Sequence, residues 1–177
     1  MEIKTAQEEV RSVFAGGAVG QTVSGMLWLL SAALGTWSSP RLGILVLAVG
    51  GIFIFPLTQV ALRLGGGPTT LRRENPFNQL AMLVAFTIPL NLPVIAAAML
   101  YNINWFYPAF LVVVGTHYLP FVFLYGMWQY AVLAGILIAG GIATGMLLGN
   151  SFSAGGWLGA AALLLFALLI ALQRRTN

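Results

Sequence analysis

The feature that most constrains the fold of this chain is a run of 99 residues that carries no formal charge. No Asp, Glu, Lys or Arg occurs between residue 75 and residue 173 of the 177. Soluble domains are about 25% charged, whereas this chain is 7% charged and 59% hydrophobic. So few charges cannot cover a globular protein in water, and disordered chains are poor in apolar residues. The uncharged run therefore predicts a membrane protein that crosses the bilayer several times.

Six segments of the sequence are long and apolar enough to cross a bilayer, which takes about 20 mainly apolar residues. Clusters of Gly, Pro, Ser and Asn separate them. We predict an all-α, polytopic membrane helix bundle that forms a single transmembrane domain over residues 1–177. The break between the fourth and fifth spans is the least marked, so five spans with one re-entrant segment is the alternative. The predicted spans are residues 12–37, 42–64, 77–100, 105–125, 127–149 and 156–173.

The basic residues predict the orientation of these spans, because Lys and Arg are enriched in cytoplasmic loops. With six spans, both termini and the loop between the second and third spans lie on the same side. Arg41 is the one basic residue on the other side. We therefore expect a multi-pass protein of the bacterial cytoplasmic membrane with its N- and C-termini inside. The basic residues assigned to the cytoplasmic side are Lys4, Arg11, Arg63, Arg72, Arg73, Arg174 and Arg175.

Aromatic residues near the predicted span ends agree with this topology, because Trp and Tyr prefer the membrane–water interface. We expect one group at the outer interface and a second group at the inner interface. The outer group is Trp37, Tyr101, Trp105, Tyr107 and Trp157, and the inner group is Tyr125, Trp128 and Tyr130.

The composition excludes several kinds of site. The chain has no Cys and no Asp, its one histidine is His117, and its four Glu all lie outside the spans. A zinc or di-iron site needs three or four His, Cys or carboxylate ligands, so we predict no metal site and no cofactor. The basic residues are spread over several loops, so nucleic-acid binding is not expected. No base and orienting partner are visible, so we assign no catalytic residue and disfavour an enzyme.

Polar side chains inside the spans are costly unless they find partners or line a cavity. They concentrate on the first four spans, three of which we expect to be interrupted by Pro56, Pro89, Pro93 and Pro120. Transporters use interrupted helices to present polar groups to solutes. The alternative is a kinked bundle in which the polar groups bond one another. The candidate ligand-binding residues are His117, Asn91, Gln21, Gln59, Thr87, Thr116 and Tyr118.

Small residues recur at four-residue intervals on two spans. This spacing is close to one helical turn and makes a groove that another backbone can approach closely. The groove would pack helices within this chain or receive a partner membrane protein. The residues concerned are Gly16, Gly20 and Ser24 on the first span and Gly141, Gly145 and Gly149 on the fifth.

Three functions agree with these patterns. The first is binding or transport of a small neutral or amphipathic solute in a cavity between spans one to four, because no fixed charge there awaits an ion. The second is an accessory or substrate-binding subunit of a larger membrane complex. The third is a membrane enzyme that uses His117 and Tyr118 as acid–base groups on a lipid or isoprenoid. The expected partners are the lipid bilayer, a small-molecule ligand, and a second copy or a partner membrane subunit.

Two resemblances add to these hypotheses. The length, the span count, the expected cytoplasmic termini and the Gly16-x-x-x-Gly20 spacing resemble the substrate-binding subunits of energy-coupling-factor vitamin transporters. That resemblance implies that Gly16 and Gly20 contact a partner membrane protein. The segment from Gly115 to Phe121 resembles uncharacterised small polytopic bacterial membrane proteins, and this resemblance implies no activity.

Overall fold

The computed structural model describes residues 1–66 and 68–176, and in these it contains helices and short 3-10 turns but no strand. The second to seventh helices are each long and apolar enough to cross a membrane, which confirms the predicted all-α bundle of six spans. The described helices are α1 (Ile3–Val13), α2 (Ala18–Trp37), α3 (Pro40–Leu64), α4 (Phe77–Tyr101), α5 (Phe106–Tyr125), α6 (Gln129–Leu147) and α7 (Ala154–Thr176).

The ends of the spans lie close to the predicted ones. The largest difference is at the first span, which begins at Ala15 rather than at residue 12. The weakly marked break between the fourth and fifth spans is a true turn. α5 ends at Tyr125, Gly126 adopts a left-handed conformation with a φ of 62°, and α6 begins at Gln129. The five-span alternative is therefore wrong.

The N-terminal helix α1 is a separate amphipathic helix that the sequence analysis did not predict. It buries Ala6, Val10 and Val13 against the bundle. Gln7 Nε2 donates a hydrogen bond to the Phe123 carbonyl at 2.6 Å, and Arg11 Nη1 donates to the Tyr125 carbonyl at 2.5 Å. Carbonyls in the last turn of a helix have no partner within that helix. Side chains of α1 therefore cap the end of α5.

A 3-10 turn, Ala15–Gly17, joins α1 to α2. Gly16 and Gly17 have φ values of 63° and 87°, in the left-handed region that favours glycine. The Tyr130 hydroxyl donates to the Gly16 carbonyl at 2.7 Å and fixes the turn to α6. Gly16 therefore lies before α2, and the predicted helical face of Gly16, Gly20 and Ser24 is wrong for its first member.

The spans pack in the order α4–α5–α6–α7–α2–α3. α3 rests on α2 and α4 rests on α5, but α3 and α4 make little contact with each other in the described residues. In the apolar 18-residue segment of each span, only 6% of the residues of α3 and 11% of those of α4 are buried. The corresponding share in the other four spans is 39–50%. The ring of helices is therefore open between α3 and α4.

The glycines of α6 pack this helix against α5. A Cβ atom at Gly141 would lie 2.7 Å from the Pro108 carbonyl, and one at Gly145 would lie 3.1 Å from the Trp105 ring. Gly149 follows the end of α6 at Leu147, so the predicted helical face does not extend to it. Gly141 and Gly145 thus pack helices within the chain.

A buried hydrogen-bonded group ties three spans together near the 102–105 end of the bundle. Ser31 Oγ donates to the Gly43 carbonyl at 2.7 Å, and the Tyr107 hydroxyl lies 2.6 Å from the same oxygen. Because Ser31 has one hydroxyl hydrogen, Tyr107 is the donor of the second bond. Tyr107, Tyr125 and Tyr130, which the sequence analysis assigned to the two interfaces, are buried within the protein rather than exposed on its surface.

Glu9 fastens α1 to the loop between α3 and α4. Its carboxylate accepts hydrogen bonds from the Arg72 backbone N–H at 2.6 Å, from Arg72 Nε at 3.2 Å and from Asn75 Nδ2 at 3.1 Å. The bond from the Arg72 backbone is the main reason that the pKa of Glu9 is lowered from its usual value of 4.5. The contact is therefore complete above about pH 4.5 and is lost as the pH falls through the lowered pKa.

Replacing Glu9 with glutamine is expected to loosen the 72–75 loop at neutral pH, because the neutral amide cannot accept the same set of charge-assisted bonds. Limited trypsin digestion after Arg72 and Arg73 should then be several-fold faster than in the wild-type protein. Glu8→Gln is the matched control, because Glu8 is exposed and has no such contacts. Equal digestion rates in the two variants would contradict this role for Glu9.

Candidate functional site

A cavity of about 450 Å³ lies between α2, α3, α4 and α5. Apolar side chains from all four helices form most of its wall, including Trp28, Phe55, Ile88 and Phe110. Because α3 and α4 make little contact, the cavity faces the gap between them. The four helices are those on which the sequence places its intramembrane polar residues.

Few polar groups interrupt the apolar wall of the cavity. Gln59 lies on α3, and His117 and Tyr118 lie on α5. No Asp, Glu, Lys or Arg is among the lining residues that the structure describes. An ion would find no opposite charge there, so the wall is suited to a neutral group.

Gln21 is the most unusual residue of the cavity wall. Its side chain is 2% exposed, yet neither its amide nitrogen nor its carbonyl oxygen makes a hydrogen bond. The Tyr130 hydroxyl donates its hydrogen to the Gly16 carbonyl, and its oxygen is an acceptor close to the Gln21 amide. A buried polar group without a partner costs about 1–3 kcal/mol. Gln21 therefore belongs to the cavity wall, and its buried amide group is left without a hydrogen bond of normal geometry.

His117 is held in one orientation by α4. Its Nδ1 lies 2.6 Å from Thr87 Oγ1, and Thr87 Oγ1 donates its single hydrogen to the Val84 carbonyl at 2.7 Å. Nδ1 must then carry the ring hydrogen and donate to Thr87, which is an inference from the hydrogen-bond network. The Val84 carbonyl is a second acceptor beside the ring and can bond only a ring N–H. In this tautomer Nε2 of the neutral ring is an acceptor.

The structure brings together four of the seven candidate ligand-binding residues. Gln21, Gln59, His117 and Tyr118 line the cavity, and Thr87 reaches it through its bond to His117. The remaining two candidates lie outside its wall and bond their own helices.

Those two residues satisfy backbone carbonyls instead. Asn91 Nδ2 donates to the Thr87 carbonyl at 2.7 Å, and Thr116 Oγ1 donates to the Val113 carbonyl at 2.8 Å. The expected interruption of spans two to four is also wrong, because α3, α4 and α5 stay helical through their prolines.

The sequence analysis assigned two cavity residues to helix packing. Gly20 and Ser24 line the cavity, and a Cβ atom at Gly20 would lie 3.6 Å from Thr58 across it. Gly51 on α3 also lines the cavity and has nothing within 4 Å of its Cβ position. Small residues on the facing helices α2 and α3 could have indicated this cavity from the sequence. Such residues let two helix backbones approach closely, but they also leave space between the helices.

Comparison with known proteins identifies a family but no activity. The sequence model of the family described as "Family of unknown function (DUF7010)" matches residues 3–173, which include α1 and nearly all of the bundle. No curated protein and no solved structure matches the chain. The match confirms the resemblance to an uncharacterised small polytopic protein.

Proposed function

This chain belongs to the DUF7010 family of unknown function, and we propose that it binds a small, neutral, amphipathic molecule in the cavity between α2, α3, α4 and α5. The observation that carries the proposal is Gln21, a side chain 2% exposed with both polar atoms unpartnered in the cavity wall. Buried polar groups are normally hydrogen-bonded. A ligand with a hydroxyl or carbonyl group would supply the missing partner.

The size and chemistry of the cavity favour such a ligand. Small-molecule sites are apolar clefts of about 300–1,000 Å³ with a few placed polar groups, and this cavity has about 450 Å³. The Nε2 acceptor of His117 would bind a ligand hydroxyl, while Gln21 can both donate and accept. The absence of charged lining residues disfavours an anionic or cationic ligand.

The gap between α3 and α4 gives the ligand its route into the cavity. Exposed apolar side chains of both helices line the cavity, among them Ile52 and Phe55 of α3 and Leu92 of α4. A molecule dissolved in the bilayer would therefore reach the cavity sideways without crossing a polar surface. Binding is the activity that the cavity alone supports, and we propose it ahead of transport.

The other two functions gain less support. Gly16 packs on Ile170 and Gly20 faces Thr58, so no observation favours these glycines as a docking face for another subunit. The Nδ1 atom of His117 is bonded to Thr87, and no carboxylate lines the cavity to orient the ring as a base. A lipid or isoprenoid enzyme is therefore the weaker alternative.

Quenching of Trp28 fluorescence by 11-bromoundecan-1-ol tests the proposal, because bromine quenches indole fluorescence on contact and Trp28 lines the cavity. We expect a saturable quenching component in the purified full chain that Trp28→Phe removes. Bromoundecanoate should show this component at least tenfold more weakly, because its charge would be buried without a partner.

The matched pair of variants for this titration is His117→Phe and Thr116→Val. His117→Phe should weaken the saturable component several-fold by removing the Nε2 acceptor. Thr116→Val should leave it unchanged, because Thr116 is exposed and lies outside the cavity wall. No saturable component in the wild-type protein, or equal loss in the two variants, would overturn the proposal.

A further inference from the structure

A second cavity, of about 600 Å³, lies at the end of the bundle that carries α1. Three parts of the chain meet there: the end of α1, the turn between α5 and α6, and the last turns of α7. Its wall includes Arg11 and Ser12 of α1, Trp128 of the turn, and Ile170 and Arg174 of α7. It shares no lining residue with the cavity of the proposed function.

Two cations in this wall have no counter-ion among the residues that the structure describes. The ion pair between Arg72 and Glu9 lies elsewhere and is the one pair among the described residues. Arg11 is held in place by its bond to the Tyr125 carbonyl, which carries no net charge. Arg174 is exposed and makes no hydrogen bond or ion pair within the described part of the chain. No carboxylate is among the lining residues described for this cavity, so both guanidinium groups are available to an anion there.

The position of the cavity along the bundle matches that of lipid headgroups. It lies where α5 ends at Tyr125 and α6 begins at Gln129, at one end of two membrane spans. Trp128 is 69% exposed at this level, as expected for an aromatic ring at the membrane–water interface. Met127, half-buried in the same wall, adds an apolar surface on which the glycerol and first acyl carbons of a lipid can lie.

We propose that this cavity is a binding site for a phosphate group, supplied by an anionic phospholipid. The guanidinium groups of Arg11 and Arg174 would bind the phosphate oxygens, since arginine pairs with phosphate through two parallel N–H bonds. The Ser12 hydroxyl is a further donor in the same wall. A bound lipid would join α1 to α7 where the two helices supply only positive charge.

Titration of the purified full chain with phosphatidylglycerol tests the proposal, with phosphatidylcholine of the same acyl chains and inorganic phosphate as the other two arms. Arg174→Gln is the main variant, because the Arg174 side chain is exposed and its replacement removes no contact on which folding depends. Arg63→Gln is the matched control, because Arg63 lies in the last turn of α3, outside this cavity. Native mass spectrometry reports the bound lipid, and its occupancy gives the affinity.

We expect phosphatidylglycerol to bind more tightly than phosphatidylcholine and Arg174→Gln to weaken it about fivefold, the effect of one basic residue on an anionic lipid. Arg63→Gln should leave the affinity unchanged. Millimolar inorganic phosphate that fails to displace the lipid supports the lipid as the source, whereas binding of inorganic phosphate alone overturns that assignment. Equal weakening by the two variants, or none by either, overturns the site.

Discussion

Replacing Gly17 with alanine is expected to lower the free energy of unfolding by about 2–4 kcal/mol. Gly17 has a φ of 87°, which an L-residue adopts only with strain. A Cβ atom at this position would also overlap the Tyr130 hydroxyl. The hydrogen bond from that hydroxyl to the Gly16 carbonyl would be displaced, so the turn between α1 and α2 would lose its tie to α6.

Equilibrium unfolding of the variant in mixed micelles measures this loss. Gly135→Ala is the matched control, because Gly135 lies within α6 and has nothing within 4 Å of its Cβ position. We expect that control to change stability by less than about 1 kcal/mol. The double variant with Tyr130→Phe should recover part of the loss, since it removes the overlapping oxygen. A Gly17→Ala protein as stable as wild type would show that the turn does not depend on glycine.

Replacing Gln21 with leucine is expected to raise the free energy of unfolding by about 1–3 kcal/mol while abolishing the saturable binding of bromoundecanol. The gain follows because leucine has a similar volume and leaves no unpartnered donor or acceptor in the buried wall. The loss of binding follows because the ligand hydroxyl would lose its partner. The free energy of unfolding should therefore rise while the saturable quenching of Trp28 is lost.

Gln59→Leu is the matched control for that experiment. Gln59 lines the same cavity but is half-buried. Its amide therefore keeps more access to solvent and to partners than the amide of Gln21 does. We expect a stability change of less than about 0.5 kcal/mol. Destabilisation by Gln21→Leu would contradict the interpretation, because it would mean that the amide supports the fold.

The sequence predicted the spans and the helices around the cavity, but not the way the chain enters the first span. Val13, Phe14 and Ala15 are apolar and join the end of α1 to the first span without a polar break, so hydropathy shows one long segment. Two adjacent glycines are ordinary in membrane helices. The left-handed turn at Gly16 and Gly17 depends on Tyr130, a residue distant in sequence.

The polar residues show a similar limit. The sequence analysis listed Gln21 and His117 together because both lie in the first four spans, but the span alone does not tell which side of a helix a residue occupies. Asn91 lies on the helix that carries Thr87 and bonds its carbonyl, whereas Gln21 has no such carbonyl partner. Tyrosines prefer the interface on average, yet Tyr107 finds Ser31 as a partner in the interior. Such pairings come from tertiary packing.

The open side of the helix ring makes bilayer thickness part of the cavity's geometry. α3 and α4 have 25 residues each, against 19 in α6, or about 37 Å against about 28 Å. Helices longer than the hydrocarbon core, about 30 Å thick, tilt to fit it. Since each of the two rests on one protein neighbour, a thinner membrane would tilt them further and reshape the space between them. The acyl-chain length of the surrounding lipids would then change the fraction of cavities that hold a ligand, with no change in the residues that line the cavity.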